Sequence, residues 1–466
     1  MNGRSIMNKN KIALINISST IVLQGLAFIS GPVFSSILGT SNYGVAAVYL
    51  TWVQIASTVF SLQAAGVISV ARVNFPLEDQ EKYQSSVFSL ATIAYFLFSV
   101  LTITSVVLIS KYSDIQLPMV LFGLAQGWGL YCVGAMNTKF TYEFKAGKNF
   151  VLSVCTSALT IGVSVFLIYL YPPEINYWGR IIGQSSVYTV IGIILLIYIL
   201  RRGKTVYNKE YWKFTLPLSI PTIFHLLAYI ILNQSDKVML QRLISNSAAG
   251  VYALACTFSM VLNSIYHALN NSWVPFYYEF TRQNQIEDMK IHAKNYIELF
   301  TVVTTGFIFL SREVFHLYAN SRFWEGTDLI PMFSIGCYFV FLYSFPVNYE
   351  FYNKKTKTIA VGTISAAVCN IGLNYVLINI WSIHGAVIAT MAAQMLQFAF
   401  HYYNAKKINP GEFPFRFIDF MPGLITVVIA CGVYWITRDM WLIRWGISAV
   451  IGITLFYRIL KRREIF

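Results

Sequence analysis

The stretch YIILNQSDKVMLQRL, residues 229–243, places Asp236, Lys237 and Arg242 directly behind an apolar run. Lysine and arginine are the side chains that hold phosphate, one as a point charge and the other as a planar fork. Two readings are open. Either Asp236 and Lys237 lie at a membrane interface and neutralise each other or meet headgroups, or this end of the segment lines an internal cavity. In the second reading Lys237 and Arg242 face an anionic ligand, while Asp236 holds them in place and limits the net field. Ionisable groups at membrane depth are costly and usually face protein or trapped water. His225 in the same segment, His267 in the next and Glu298 at the start of the one after belong to this class. Asp236 and Glu298 are candidate proton or sodium sites. For the two histidines an interhelical hydrogen bond is the plainer role, with proton relay as the alternative.

Amides outnumber charges inside the apolar segments. Asn370 and Asn374 are four apart and share a helix face. Gln24, Gln54, Gln63, Gln126, Asn137, Asn263, Asn270, Gln394 and Gln397 add neutral donors and acceptors. Singly, each serves as glue between helices. Together with Trp52, Trp128, Tyr252, Tyr266 and Trp273 they have the chemistry of a wet cavity for a hydroxyl-rich molecule, with aromatic faces for sugar rings and amides for hydroxyls. Pro32, Pro217, Pro221, Pro275 and Pro346 interrupt the segments that carry these residues, and kinks are expected there.

The elements that position these groups follow from composition. The chain has 466 residues, 56% of them hydrophobic and 12% charged, with a mean hydropathy of +0.58. That lies outside the range of soluble globular proteins and makes this an all-α polytopic membrane protein. Apolar runs long enough to cross a layer of about 30 Å fall near 12–38, 42–71, 84–110, 115–138, 149–171, 176–200, 214–242, 247–275, 291–311, 327–349, 358–380, 383–403, 417–437 and 441–460. The first is too long for the core of a cleaved signal peptide and lacks a small-x-small cleavage site, so it is read as a span. With a cytoplasmic N-terminus, 26 of the 34 lysines and arginines fall on the inner side. That asymmetry supports cytoplasmic N- and C-termini and assigns the +14 charge to topology, with anionic membrane lipids rather than nucleic acid as its partner. The six cysteines stand singly in apolar segments, which points to neither a metal site nor a disulfide framework.

The chain repeats itself. TYEFKAGK at 141–148 and NYEFYNKKTK at 348–357 are offset by 207 residues, counted from Tyr142 to Tyr349. Gly44 and Gly250, and Gly179 and Gly385, are each offset by 206. An offset of six spans gives two lobes of the same orientation, related by an axis along the membrane normal and enclosing a watery, positively biased chamber. The expected organisation is an N-terminal lobe at 1–200, a basic cytoplasmic connector at 201–213, a C-terminal lobe at 214–403, and two additional spans with a basic tail at 404–466. HExxH, Walker A and GxSxG patterns are missing, and no loop is large enough for a catalytic domain, so a transporter without cofactor is expected rather than an enzyme.

The stretches PLSIPTIFHLLAYIILNQSDKVMLQRLISNSAAGVYALA, NSWVPFYYEF, YNKKTKTIAVGTISAAVCNIGLNYVLI and HGAVIAT resemble the bacterial polysaccharide flippases, the O-antigen and capsule exporters of the multidrug/oligosaccharidyl-lipid/polysaccharide (MOP) superfamily. The resemblance runs over roughly 12–403. It implies alternating-access transfer of a polyprenyl-diphosphate-linked oligosaccharide from the inner to the outer leaflet of the bacterial cytoplasmic membrane. Polysaccharide polymerase and chain-length machinery are the implied partners, and H+ or Na+ the implied coupling ion. The family's N-Q-S-D-K/R box falls on Asn233, Gln234, Ser235, Asp236 and Lys237, its K-K-T-K loop on Lys354 to Lys357, and its N-x-x-x-N-Y element on Asn370, Asn374 and Tyr375. Arg72, Lys139 and Lys148 are further candidates for the diphosphate nearer the inner mouth. Many members have twelve spans, and the additional pair here could form a lipid-tail groove or shield a lobe. A drug antiporter of the same superfamily is the alternative; its pocket would be acidic or apolar.

Overall fold

The computed structural model describes residues 3–109, 116–409 and 411–462, with the side chains of 1–24, 26, 27, 455, 456 and 459–466 outside that description. Arg4, Lys9, Lys11, Gln24, Lys111, Lys461, Arg462 and Arg463 from the sequence reading therefore lie outside the described side chains.

The described residues form helices and no strand, in the order α1 (Gly3–Phe60), α2 (Ile68–Asn74), α3 (Gln80–Ile109), α4 (Leu117–Tyr142), α5 (Ala146–Ile168), α6 (Tyr177–Gly203), α7 (Lys209–Leu243), α8 (Asn246–Gln283), α9 (Ile286–Tyr318), α10 (Ile330–Tyr352), α11 (Thr356–Ile408), α12 (Phe417–Ile436) and α13 (Trp441–Arg462). Among them ten helices are long and apolar enough to cross a membrane. Lipid offers backbone groups no partner, so each segment closes its own hydrogen bonds.

Two of these helices are double. α1 breaks at Gly39, whose φ of 68° is in the left-handed region, and α11 breaks at Trp381 and Ser382, where Ser382 has φ 50°. Divided at those points, the described helices follow the expected order of fourteen segments, with one correction. The second segment ends at Phe60 rather than near residue 71, because Leu62 and Gln63 turn left-handed and a 3-10 turn with α2 follows. Pro32, Pro217, Pro221, Pro275 and Pro346, where kinks are expected, all lie inside helical runs. In an apolar bundle, side-chain hydroxyls and local adjustment re-satisfy the carbonyl that proline frees.

The chain divides into two compact units, Met1–Gln234 and Ser235–Phe466, with the boundary inside α7. In the first, Tyr83, Phe88, Tyr95, Trp128 and Tyr131 form a buried aromatic core. In the second, Trp273, Tyr296, Phe300, Tyr338, Phe341 and Phe345 do the same. α12 and α13 both pack on α9. Arg444 of α13, wholly buried, donates to the carbonyls of Phe309 and Thr437 at 3.1 Å and pairs with Glu313 of α9.

The repeat shows in two glycine pairs. A Cβ on Gly179 would lie 2.4 Å from the backbone of Ile168, and one on Gly385 2.0 Å from the Leu377 carbonyl. In each unit the helix after a tight connection crosses the end of the preceding helix so closely that only glycine fits. Gly129 meets the Tyr188 backbone, and Gly336, 207 residues on, meets the Gln394 side chain.

Candidate functional site

In the last turns of α7, Leu240 is wholly covered and Asp236 is only 2% exposed. Three side-chain donors converge on its carboxylate. Tyr252 of α8 donates at 2.5 Å and Thr390 of α11 at 2.7 Å, both to Oδ2, while Asn374 of α11 donates to Oδ1. Asn374 also donates to Asn370 Oδ1 at 2.9 Å, and that oxygen accepts from Ser235 at 3.0 Å. Asn370 in turn donates to Thr390 Oγ1 at 3.2 Å. The amides reach the carboxylate because Asn370 and Asn374 are one helical turn apart, and Thr390 comes back to the same place after the break at Ser382. Asn374 Oδ1 is buried and has no hydrogen-bond partner.

The cluster is therefore one carboxylate held by two hydroxyls and an amide N–H, with the amide oxygen of Asn370 behind them. Such a set suits an alkali cation or a proton, whereas soft metals call for imidazole and thiolate. No group of three or more His, Cys, Asp or Glu side chains with metal-holding geometry occurs among the described residues. Lys237 is half-buried beside Asp236 and Arg242 is exposed. Asn233 is half-buried and donates back to the Tyr229 carbonyl of its own helix at 2.8 Å; Gln234 is half-buried.

The remaining candidates lie elsewhere. Lys139, in the last turn of α4, is 1% exposed and already bound. It pairs with Glu81 at 3.1 Å and Glu143 at 2.8 Å, and donates to Gln84. Glu143 lies just beyond the helix. Burial raises its carboxyl, but hydrogen bonds and charge from Lys139 and Lys145 prevail and hold it below the ordinary carboxylate range. Lys148 is exposed at the start of α5, and Arg72 is half-buried in the last turn of α2. Glu298 pairs with Arg458, so this carboxylate fastens α13 to α9. His225 is half-buried, and His267 is exposed with its ring 4.8 Å from that of Tyr266. Lys354, Lys355, Lys357 and Tyr375 are exposed.

Three groups gained a role that sequence reasoning had not assigned. Tyr252 and Thr390 complete the Asp236 cluster, and Glu350 with His401 forms a wholly buried pair at 2.8 Å. Glu350 stands 207 residues after Glu143, so the repeat itself marked both carboxylates. Two further cations are buried: Arg180 is 7% exposed and Arg444 is fully covered.

Apolar helices in two units, with a caged carboxylate in the second, define a multi-pass membrane protein. Its family is established by sequence. Residues 10–281, more than half of the chain, match the model of the polysaccharide biosynthesis protein family, and the chain belongs to that family. A Haemophilus influenzae protein of the Lsg locus is 21% identical over 357 residues, covering 73% of this chain and 84% of that protein. The fold is similar to that of the lipid II flippase MurJ in its inward closed conformation, with a TM-score of 0.65 and 15% identity over 96% of this chain and 99% of that one. It is also similar to a eukaryotic MATE transporter, AtDTX14, with a TM-score of 0.55 and 14% identity over 91% and 99% of the two chains. The resemblance read from the sequence, to polysaccharide exporters of the MOP superfamily, is borne out for family and fold.

Proposed function

We propose that this protein flips a polyprenyl-diphosphate-linked oligosaccharide from the cytoplasmic to the outer leaflet by alternating access, for surface polysaccharide synthesis. The observation that carries the reading is membership in a polysaccharide biosynthesis family combined with a fold that matches a lipid II flippase along nearly its whole length. Lys237 and Arg242 supply positive potential for the diphosphate, and Asn233 and Gln234 offer hydrogen bonds to sugar. In this reading the Asp236 cluster holds the coupling cation. Na+ is the ion this reading takes, since the cluster offers carboxylate and hydroxyl oxygens. The termini are cytoplasmic and the membrane is the bacterial inner one.

Reconstituted vesicles containing a fluorescent polyprenyl-diphosphate oligosaccharide test this directly. Protein-dependent transfer of the label to the opposite leaflet, faster with an imposed Na+ gradient, is expected. Lys237→Ala should abolish it while leaving protein abundance normal; transfer unchanged in that variant removes Lys237 from the mechanism. The MATE-like fold supports a second reading, a cation-coupled drug antiporter. That reading predicts cationic dye efflux with no lipid transfer, and efflux alone would replace the first.

A further inference from the structure

The first unit contains a buried cation that the preceding reading does not use. Arg180 lies in the first turn of α6, at the end opposite Arg201 and Arg202, and is only 7% exposed. Its guanidinium is held between two rings of α1, with its centre 4.2 Å from that of Phe34 and 5.0 Å from that of Tyr43. Among the described residues no carboxylate lies within ion-pair distance, and Nε and Nη1 have no hydrogen-bond partner. The neighbouring amides are committed. Asn42 donates to the Pro173 carbonyl at 2.7 Å and to Asn176 Oδ1 at 2.8 Å, and Asn176 donates to the Ile37 carbonyl at 3.3 Å.

Each of these conditions works against a cation. Burial strips its water, the positive end of the helix dipole adds like charge, and only the two rings and a hydrogen bond with Tyr43 offset them. Two donors of a planar fork are left facing no acceptor, and the group that such a fork fits is a phosphate or diphosphate oxyanion. We infer that Arg180, clasped by Phe34 and Tyr43, is a receptor for the phosphate oxygens of a lipid at this end of the first unit. The inference rests on the transport reading above only for the identity of the preferred lipid, a polyprenyl diphosphate. The shared chemistry, a lipid phosphate, could also come from bilayer headgroups.

The test uses the purified full chain in detergent, titrated separately with undecaprenyl diphosphate and with phosphatidylglycerol and read by native mass spectrometry. Arg180→Met and Arg180→Lys are compared with wild type, and each is melted without ligand. The expected result is binding of undecaprenyl diphosphate that weakens at least ten-fold in Arg180→Met and less in Arg180→Lys, with a ligand-free melting temperature in Arg180→Met equal to or above wild type. That combination marks a charge kept for a ligand at the expense of stability. Equal loss of phosphatidylglycerol binding supports the site and assigns it to headgroups. Should Arg180→Met not fold, Arg180→Lys carries the test, because a point charge cannot reproduce the fork. Wild-type binding left intact in the variants overturns the inference and leaves the proposed transport standing. A wild-type protein that binds neither lipid overturns both.

Discussion

Asp236→Asn is the most informative single change in the second unit. Asparagine keeps the volume but has one oxygen with two lone pairs, whereas three donors converge on the carboxylate. One donor is left without an acceptor, and the new amide N–H group opposes that of Asn374. A stranded buried donor costs about 1–3 kcal/mol, and the surviving bonds lose the strengthening of an ionised acceptor, so a loss of about 2–4 kcal/mol in total is expected. The second effect is on the ion. Na+ at a hundred times its Kd would stabilise the wild-type protein by about 2.7 kcal/mol, and none of that gain should remain without the carboxylate. The assay is thermal unfolding of purified protein, followed by tryptophan fluorescence, in NaCl and in choline chloride of equal ionic strength. Wild type should melt higher in sodium, and Asp236→Asn should melt lower in both salts with no difference between them. A sodium-dependent rise that survives in the variant, or is missing from wild type, refutes the assignment of the ion to this cluster.

Glu143 gives a pH dependence with a definite sign. Its folded carboxyl titrates below its ordinary value of 4.5, so its stabilisation is complete above that value and fades as the pH falls through the folded one. The melting difference between wild type and Glu143→Gln should be constant from pH 7 down to about 5 and shrink in stronger acid; a difference that grows in acid would reverse the argument. Gly179→Ala and Gly385→Ala each force a methyl into backbone, and each should cost about 1–3 kcal/mol or more and lower the folded yield, seen as loss of the monodisperse peak on size exclusion. Arg444→Met leaves Glu313 and two carbonyls without their donor and should destabilise the α9–α13 contact by about 3 kcal/mol. Adding Glu313→Gln should recover part of that loss in the double variant, and additive losses would show that the pair is not coupled.

The hydropathy pattern alone determined that this chain crosses the membrane as helices and where most of the segments lie, because a backbone in lipid must bond to itself and about 20 apolar residues are needed to cross. It also exposed the repeat, whose glycines and carboxylates, Gly179 and Gly385 and then Glu143 and Glu350, recur at nearly one offset. The NQSDK stretch stood out for its charges, and Asn370 and Asn374 for their spacing. What those side chains do was decided only by packing. Asp236 meets Tyr252 sixteen residues away and Thr390 a further 138 along the chain, distances over which no local pattern carries information. Packing also drew Lys139, Arg180 and Arg444 into contacts with rings, carboxylates or carbonyls, and Glu298 onto the Arg458 guanidinium, none of which their positions along the chain revealed. The physical reason is that transfer into lipid depends on the composition of each segment by itself, whereas the partner of a buried charge depends on which helix faces it.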